Sequence, residues 1–289
     1  MEKVISRKLG RFTLHALDAG RQWLDGGAMF GVVPRPLWQK KAAPDERNRI
    51  PLALRPLLVE TGDALVLIDT GAGNKEDERF RDIYGLENEG EPSALEDAIR
   101  EAGFRPQDVA LVINTHLHFD HAGGNTVARP DGSVELAFPE ARYVVQQEEW
   151  DFAHLQNERV RASYLLPNFD PVYETGRFDF AEGAADIVPG IHVVPTAGHT
   201  PGHQSVLIES DGESALYLAD LVPTAAHLPL PWIMGYDVEP LVTLETKRTV
   251  LEWAERERTL LVFEHDPNIA WGYLVPQEEK PTLVDTRPG

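Results

Sequence analysis

The sequence predicts an α/β protein in which two mixed β-sheets lie face to face with helices on the outside. Three observations predict it. Short apolar runs of strand length alternate with stretches of helical pattern along two rough halves of the chain. Several of those runs end on a histidine or an aspartate, as buried strands do when they carry polar groups to one edge of a sheet. The chain has 289 residues, 42% of them hydrophobic, enough to bury a sizeable core as one large domain or two fused halves.

In chain order, residues 12–17 alternate like a half-buried strand. Residues 52–60 and 64–68, joined by Thr61, Gly62 and Asp63, predict a β-hairpin that delivers Asp69. Ser93, three residues before Glu96, opens a capping box, and residues 94–102 then read as a helix stopped by Gly103. Residues 109–113 form a short buried strand, residues 142–145 another, and residues 146–161 a helical stretch. The second half repeats the theme with strands near 187–194, 204–208, 215–218 and 260–263, and a helix over 241–258. The tail after Pro276 is expected to pack loosely. There is no low-complexity segment and no short-period repeat.

The strand at 109–113 runs straight into Asn114-Thr115-His116-Leu117-His118-Phe119-Asp120-His121-Ala122-Gly123-Gly124. Three imidazoles and a carboxylate within six positions point to metal. On a tight turn, alternate side chains can face two cations, His116 and His118 one of them, Asp120 and His121 its neighbour. Nitrogen and oxygen donors without thiolate suit Zn, Mn, Fe or Co. A third neutral ligand is expected at His199, where Gly198 and Gly202 let the backbone come close to an ion. Asp220 ends the run at 215–219 and can bridge two cations; His265 ends the run at 260–264 and completes the second site.

With Asp69 in Leu67-Ile68-Asp69-Thr70-Gly71, followed by the cluster, His199, Asp220 and His265, the chain resembles the metallo-β-lactamase superfamily from about residue 10 to about residue 270. Within it the chain looks most like the quorum-quenching lactonases that open N-acyl-homoserine lactones. Residues 25–38, 219–227 and 232–237 resemble segments of one lactonase subgroup. The resemblance implies a single αββα-sandwich domain over residues 1–289. It also implies two divalent metal ions per chain, Zn being expected, with Co, Mn or Fe as alternatives. Asp69 would hydrogen-bond a ligand histidine, expected to be His116. Asp220 would bridge the ions, hydroxide formed between them would attack the lactone carbonyl, and Asp120 would relay a proton to the leaving group.

Many related lactonases carry a tyrosine three residues after the bridging aspartate; here that position is Pro223, and Thr224 or His227 are candidates to stand in. Met29, Phe30, Phe119, His227, Trp232 and Met234 are the candidates to line a substrate pocket, with ordinary core or a dimer contact as the bland alternative. His15, His154, His192 and His203 read as satisfied histidines, His203 supporting the turn around His199.

The formal charge of −20, from 47 acidic and 27 basic residues, argues against nucleic acid and leaves a small-molecule ester or lactone as the expected partner. No cysteine is present, which excludes disulfides and thiolate ligands. No secretory signal and no membrane-length apolar run are visible, so a soluble cytoplasmic protein, expected to be a homodimer, is the default. Rival activities on the same ligands are a phosphotriesterase and a glyoxalase-II-type thioesterase. The latter is expected to carry basic residues in a C-terminal helical domain, and residues 251–258 are mixed in charge. A redox diiron protein of this type would have a carboxylate where His118 stands.

Overall fold

A computed structural model describes residues 3–275 and 282–287. By its internal contacts the chain divides into two compact units. The first comprises Met1–Gln22 with Leu54–Gly183, the second Trp23–Ala53 with Ala184–Gly289.

The first unit carries a seven-stranded mixed sheet. Its strands lie in the order Val4–Leu9, Phe12–Leu17, Leu57–Glu60, Leu65–Ile68, Leu111–Ile113, Arg142–Gln146, Phe178–Ala181. The first four pair antiparallel. From Leu65–Ile68 onward the neighbours are parallel. A parallel connection needs a crossover, and Glu78–Tyr84 and Ala94–Glu101 supply helices between the first two parallel strands. The expected capping serine is in place: the Ser93 side chain accepts from the Glu96 N–H. Val66, Leu67, Ile68, Val112 and Ile113 are fully buried, as parallel strands covered on both faces must be.

The second unit repeats the plan. Its seven strands lie in the order Ala185–Val188, Ile191–Pro195, Gln204–Ser210, Glu213–Tyr217, Leu260–Val262, Trp271–Val275, Thr282–Val284. All pair antiparallel except Glu213–Tyr217 with Leu260–Val262, which run parallel and are linked through the helix Pro240–Glu257. The first sheet is antiparallel at one end and parallel at the other, the second has one parallel pair inside an antiparallel surround, and in each, loops leave the carboxyl ends of the parallel strands. That is where α/β sheets hold ligands.

Three expectations change. Residues 52–60 are not one strand. Arg49–Ala53 pairs instead with Arg21–Asp25, and Leu57 resumes after Pro56, whose missing N–H interrupts the ladder. The helix expected over 146–161 is only Gln147–His154. The tail is not wholly loose, since Thr282–Val284 adds an edge strand; residues 276–281 lie outside the described residues. No described helix is long and apolar enough to cross a membrane.

Candidate metal centre

In the first unit, Asp69 and Asn114 follow the carboxyl ends of adjacent parallel strands, with Asp69 N–H donating to the Ile113 carbonyl at 2.9 Å. Asp69 has φ +56°, a left-handed conformation that turns its side chain back toward the cluster. Its Oδ1 accepts from the Thr115 N–H at 2.7 Å and its Oδ2 from the Thr115 hydroxyl at 2.8 Å. Oδ2 also lies 3.0 Å from His121 Nδ1, so the histidine this aspartate holds is His121, where His116 was expected. His116 Nδ1 is 3.1 Å from the Thr115 hydroxyl oxygen instead. The turn fits because of two glycines. A Cβ on Gly123 would stand 2.2 Å from the Ala72 carbonyl oxygen, and one on Gly124 2.2 Å from that of Thr70.

His116, His118, Asp120 and His121 are all buried. His116 Nε2 lies 3.0 Å from His118 Nδ1. The edge of His118 meets the Tyr164 ring at 4.7 Å between centroids. Tyr164 in turn donates to Glu149 Oε1 at 2.8 Å, and the same oxygen accepts from the Leu117 N–H at 3.0 Å. Asp120 is held by Gln22, whose Nε2 donates to Oδ2 at 2.5 Å, while Oδ1 lies 3.9 Å from His121 Nε2.

In the second unit, Asp220 and His265 follow the parallel pair Glu213–Tyr217 and Leu260–Val262, and His199 follows Ile191–Pro195. The three converge: His199 Nε2 is 3.1 Å from Asp220 Oδ2, and His265 Nε2 is 3.2 Å from Asp220 Oδ1. The rear of each ring is fixed, His199 Nδ1 by Asp237 at 2.9 Å and His265 Nδ1 by the Ala53 carbonyl at 2.8 Å. His203 supports the turn, as expected, through Thr196, and its Nε2 also accepts the Asp220 N–H at 3.2 Å. Ala219, at φ +45°, sets up the bend on which Asp220 sits.

The chemistry of these contacts fits a divalent cation. A carbonyl oxygen or a carboxylate can only accept, so Nδ1 of His265, His199 and His121 carries the proton and Nε2 presents its lone pair. In His199 and His265 that lone pair is aimed at a carboxylate oxygen. Two electron-rich atoms 3.1 to 3.2 Å apart repel unless a positive charge lies between them. Nitrogen and oxygen donors fixed from behind are what zinc and its neighbours bind.

The apolar candidates of the second unit pack chiefly among themselves. Met29, Phe30 and Met234 are at most 4% exposed and pack with Trp38, Ile50 and Leu52, Trp232 leaning on them partly buried. His227 is fully buried, stacked on Phe30 at 4.5 Å, and donates from Nε2 to the Met29 carbonyl at 2.9 Å. Burial pushes its pKa down to about 4, so it is neutral. These side chains have the packing of a core rather than of an open wall. Lys247, also fully buried, caps the same region by donating to the carbonyls of His227, Pro229, Leu230 and Trp232. Phe119 belongs to the first unit, in a three-ring cluster with Phe80 and Tyr84 at 4.9 and 4.7 Å.

Gln22, Thr115, Glu149 and Asp237 have no metal-ligand spacing and were missed from sequence. Thr115, inside the quoted histidine cluster, and Asp237, at the end of the 232–237 segment, stood in stretches already singled out; Gln22 and Glu149 did not.

A family model, the metallo-beta-lactamase superfamily, matches residues 56–265. An N-acyl homoserine lactonase of a Bacillus species is 30% identical over 263 residues, covering 88% of this chain and 92% of that protein. Among solved structures, a probable metal-dependent hydrolase from Staphylococcus aureus is 32% identical, with a TM-score of 0.87 over 97% of this chain and 99% of that one. A dizinc quorum-quenching lactonase called AidC is 20% identical, with a TM-score of 0.79 over 97% and 96%, a likeness of fold alone. These likenesses bear out the αββα sandwich that the sequence implied.

Proposed function

Because the chain belongs to the metallo-β-lactamase superfamily of metal-dependent hydrolases, we propose that it opens the ring of N-acyl homoserine lactones. The observation that carries the substrate class is the 30% identity to the Bacillus lactonase across 88% of the chain. His116, His118 and His199 would hold one divalent cation, Asp120, His121 and His265 a second, and Asp220 both. Zinc suits this sulfur-free donor set. The lone-pair geometry at His199, His265 and His121 supports the assignment.

When bound, such cations acidify water and polarise a carbonyl. The chain's own residues do the rest. Asp69, Asp237 and the Ala53 carbonyl keep the imidazoles in one tautomer, so that each Nε2 stays a lone-pair donor. Asp120 takes the proton released as water attacks the lactone carbonyl carbon, and hands it to the ring oxygen as the carbon–oxygen bond breaks. Phe80 and Tyr84, half-buried against the buried Phe119 ring, would supply an apolar surface near Asp120 for the acyl chain.

The test is a panel run on zinc-reconstituted protein: homoserine lactones of rising acyl length, a phosphotriester, a thioester and a β-lactam. A lactone should have the highest kcat/KM. A phosphotriester or thioester turned over faster than every lactone would replace this reading.

A further inference from the structure

Gln22 is fully buried, yet its amide is only half satisfied: Nε2 donates to Asp120 Oδ2 at 2.5 Å, while Oε1 has no hydrogen-bond partner among the described residues. An unmet buried acceptor costs stability that an apolar residue of the same size would keep. The amide's one contact must therefore matter to something other than stability.

That contact divides the Asp120 carboxylate. Oδ2 is committed to Gln22. Oδ1 faces His121 Nε2 at 3.9 Å, too far for a hydrogen bond but within the ~4.1 Å that two metal–ligand bonds of ~2.0–2.1 Å span end to end. The terminal torsion of an aspartate is broad and nearly two-fold, so an unheld carboxylate would rotate and exchange its oxygens. A lysine or arginine here would fix the rotation but cancel the charge a cation needs. A neutral amide fixes it and leaves the full negative charge in place.

We propose that Gln22 is a positioning residue that locks Asp120 so that Oδ1 alone is offered to a divalent cation on the His121 side. This rests on the reading that Asp120 and His121 hold a cation. Gln22 touches neither that cation nor the substrate and acts only through Asp120.

Gln22→Met removes the donor at nearly constant volume; Gln22→Asn keeps an amide that is too short to reach, and covers the case in which the methionine variant fails to fold. Stripped protein is titrated with zinc against a chromophoric chelator, and lactone hydrolysis is followed at saturating zinc. The expected result is a second zinc bound about 10–100-fold more weakly in both variants, the first unchanged. At saturating zinc, kcat should fall with KM within about twofold of wild type. Wild-type affinity for both ions and wild-type kcat in the variants would overturn the proposal while leaving the metal reading intact. A wild-type protein that takes up only one zinc would overturn that reading, and this proposal with it.

Discussion

At the scale of single residues, four candidate ligand imidazoles, two in each unit, are fixed from behind. Thr115, Asp69, Asp237 and the Ala53 carbonyl face the Nδ1 atoms of His116, His121, His199 and His265. The residue that departs most from its expected role is His227. It was a candidate to meet substrate, and instead lies stacked on Phe30 with both ring nitrogens bonded inside the protein, Nδ1 to the Thr224 hydroxyl and Nε2 to the Met29 carbonyl. Its burial has a pH consequence. Unfolded, the ring takes a proton near 6.5; folded, only near 4, because burial disfavours the charged form. Its contribution to stability is whole above pH 6.5 and is lost as the pH falls through 4, a window worth about 3 kcal/mol. Denaturant melts of wild type and His227→Gln at pH 7 and pH 4.5 should show a smaller loss in the variant. Equal losses would mean that the ring is not held neutral. The candidate ligand histidines were legible in the sequence because three imidazoles and a carboxylate within six residues have no ordinary explanation. Gln22 and Asp237 were not, because a lone amide or carboxylate looks the same whether it faces water or a ligand.

At the scale of elements, both halves place their candidate ligands by the same device, a parallel strand pair whose carboxyl ends open into loops. Asp69 and the His116 cluster leave one pair, Asp220 and His265 the other. The strands were readable because each is a short, fully apolar run. The break at Pro56 was not, since residues 52–60 show one unbroken apolar character on either side of Arg55. The helices Gly26–Phe30 and Arg35–Trp38 were missed too, being too short to show a period. The loop after the cluster depends on Gly124 lying against the Thr70 backbone. Gly124→Ala places a methyl 2.2 Å from a carbonyl oxygen, so the loop must shift by about an ångström, and metal geometry tolerates only tenths. The variant should keep its far-ultraviolet circular dichroism and lose most of its bound metal. Full metal content by elemental analysis would show that the close approach is not needed.

At the scale of the whole molecule, a chain of formal charge −20 buries Asp69, Asp120, Asp220, Asp237 and Glu264 to 7% exposure or less. Buried like charges oppose folding, and bound cations offset them only in the native state. Stripping the metal should therefore lower Tm by on the order of 10 °C, with two equivalents of zinc restoring it. A Tm unmoved by verified metal removal would mean that the carboxylates are balanced in some other way. The fold class was predictable at this scale from the alternation of elements. Two rough halves were also legible, but not that Trp23–Ala53 joins Ala184–Gly289 in the second unit, because separation along the chain says nothing of which segments meet.

That discontinuity governs how the protein can be made. Phe30, Trp38, Ile50 and Leu52 leave the ribosome early, but Met234, which closes their cluster, is translated much later. At ~5–20 residues per second the wait is on the order of ten seconds, during which bulky side chains destined for full burial have only one another to pack against. The first unit interrupts the second and can be completed in the interval. Nascent chains stalled before Ala184 should therefore be the species that chaperones hold and that aggregates first when synthesis is forced.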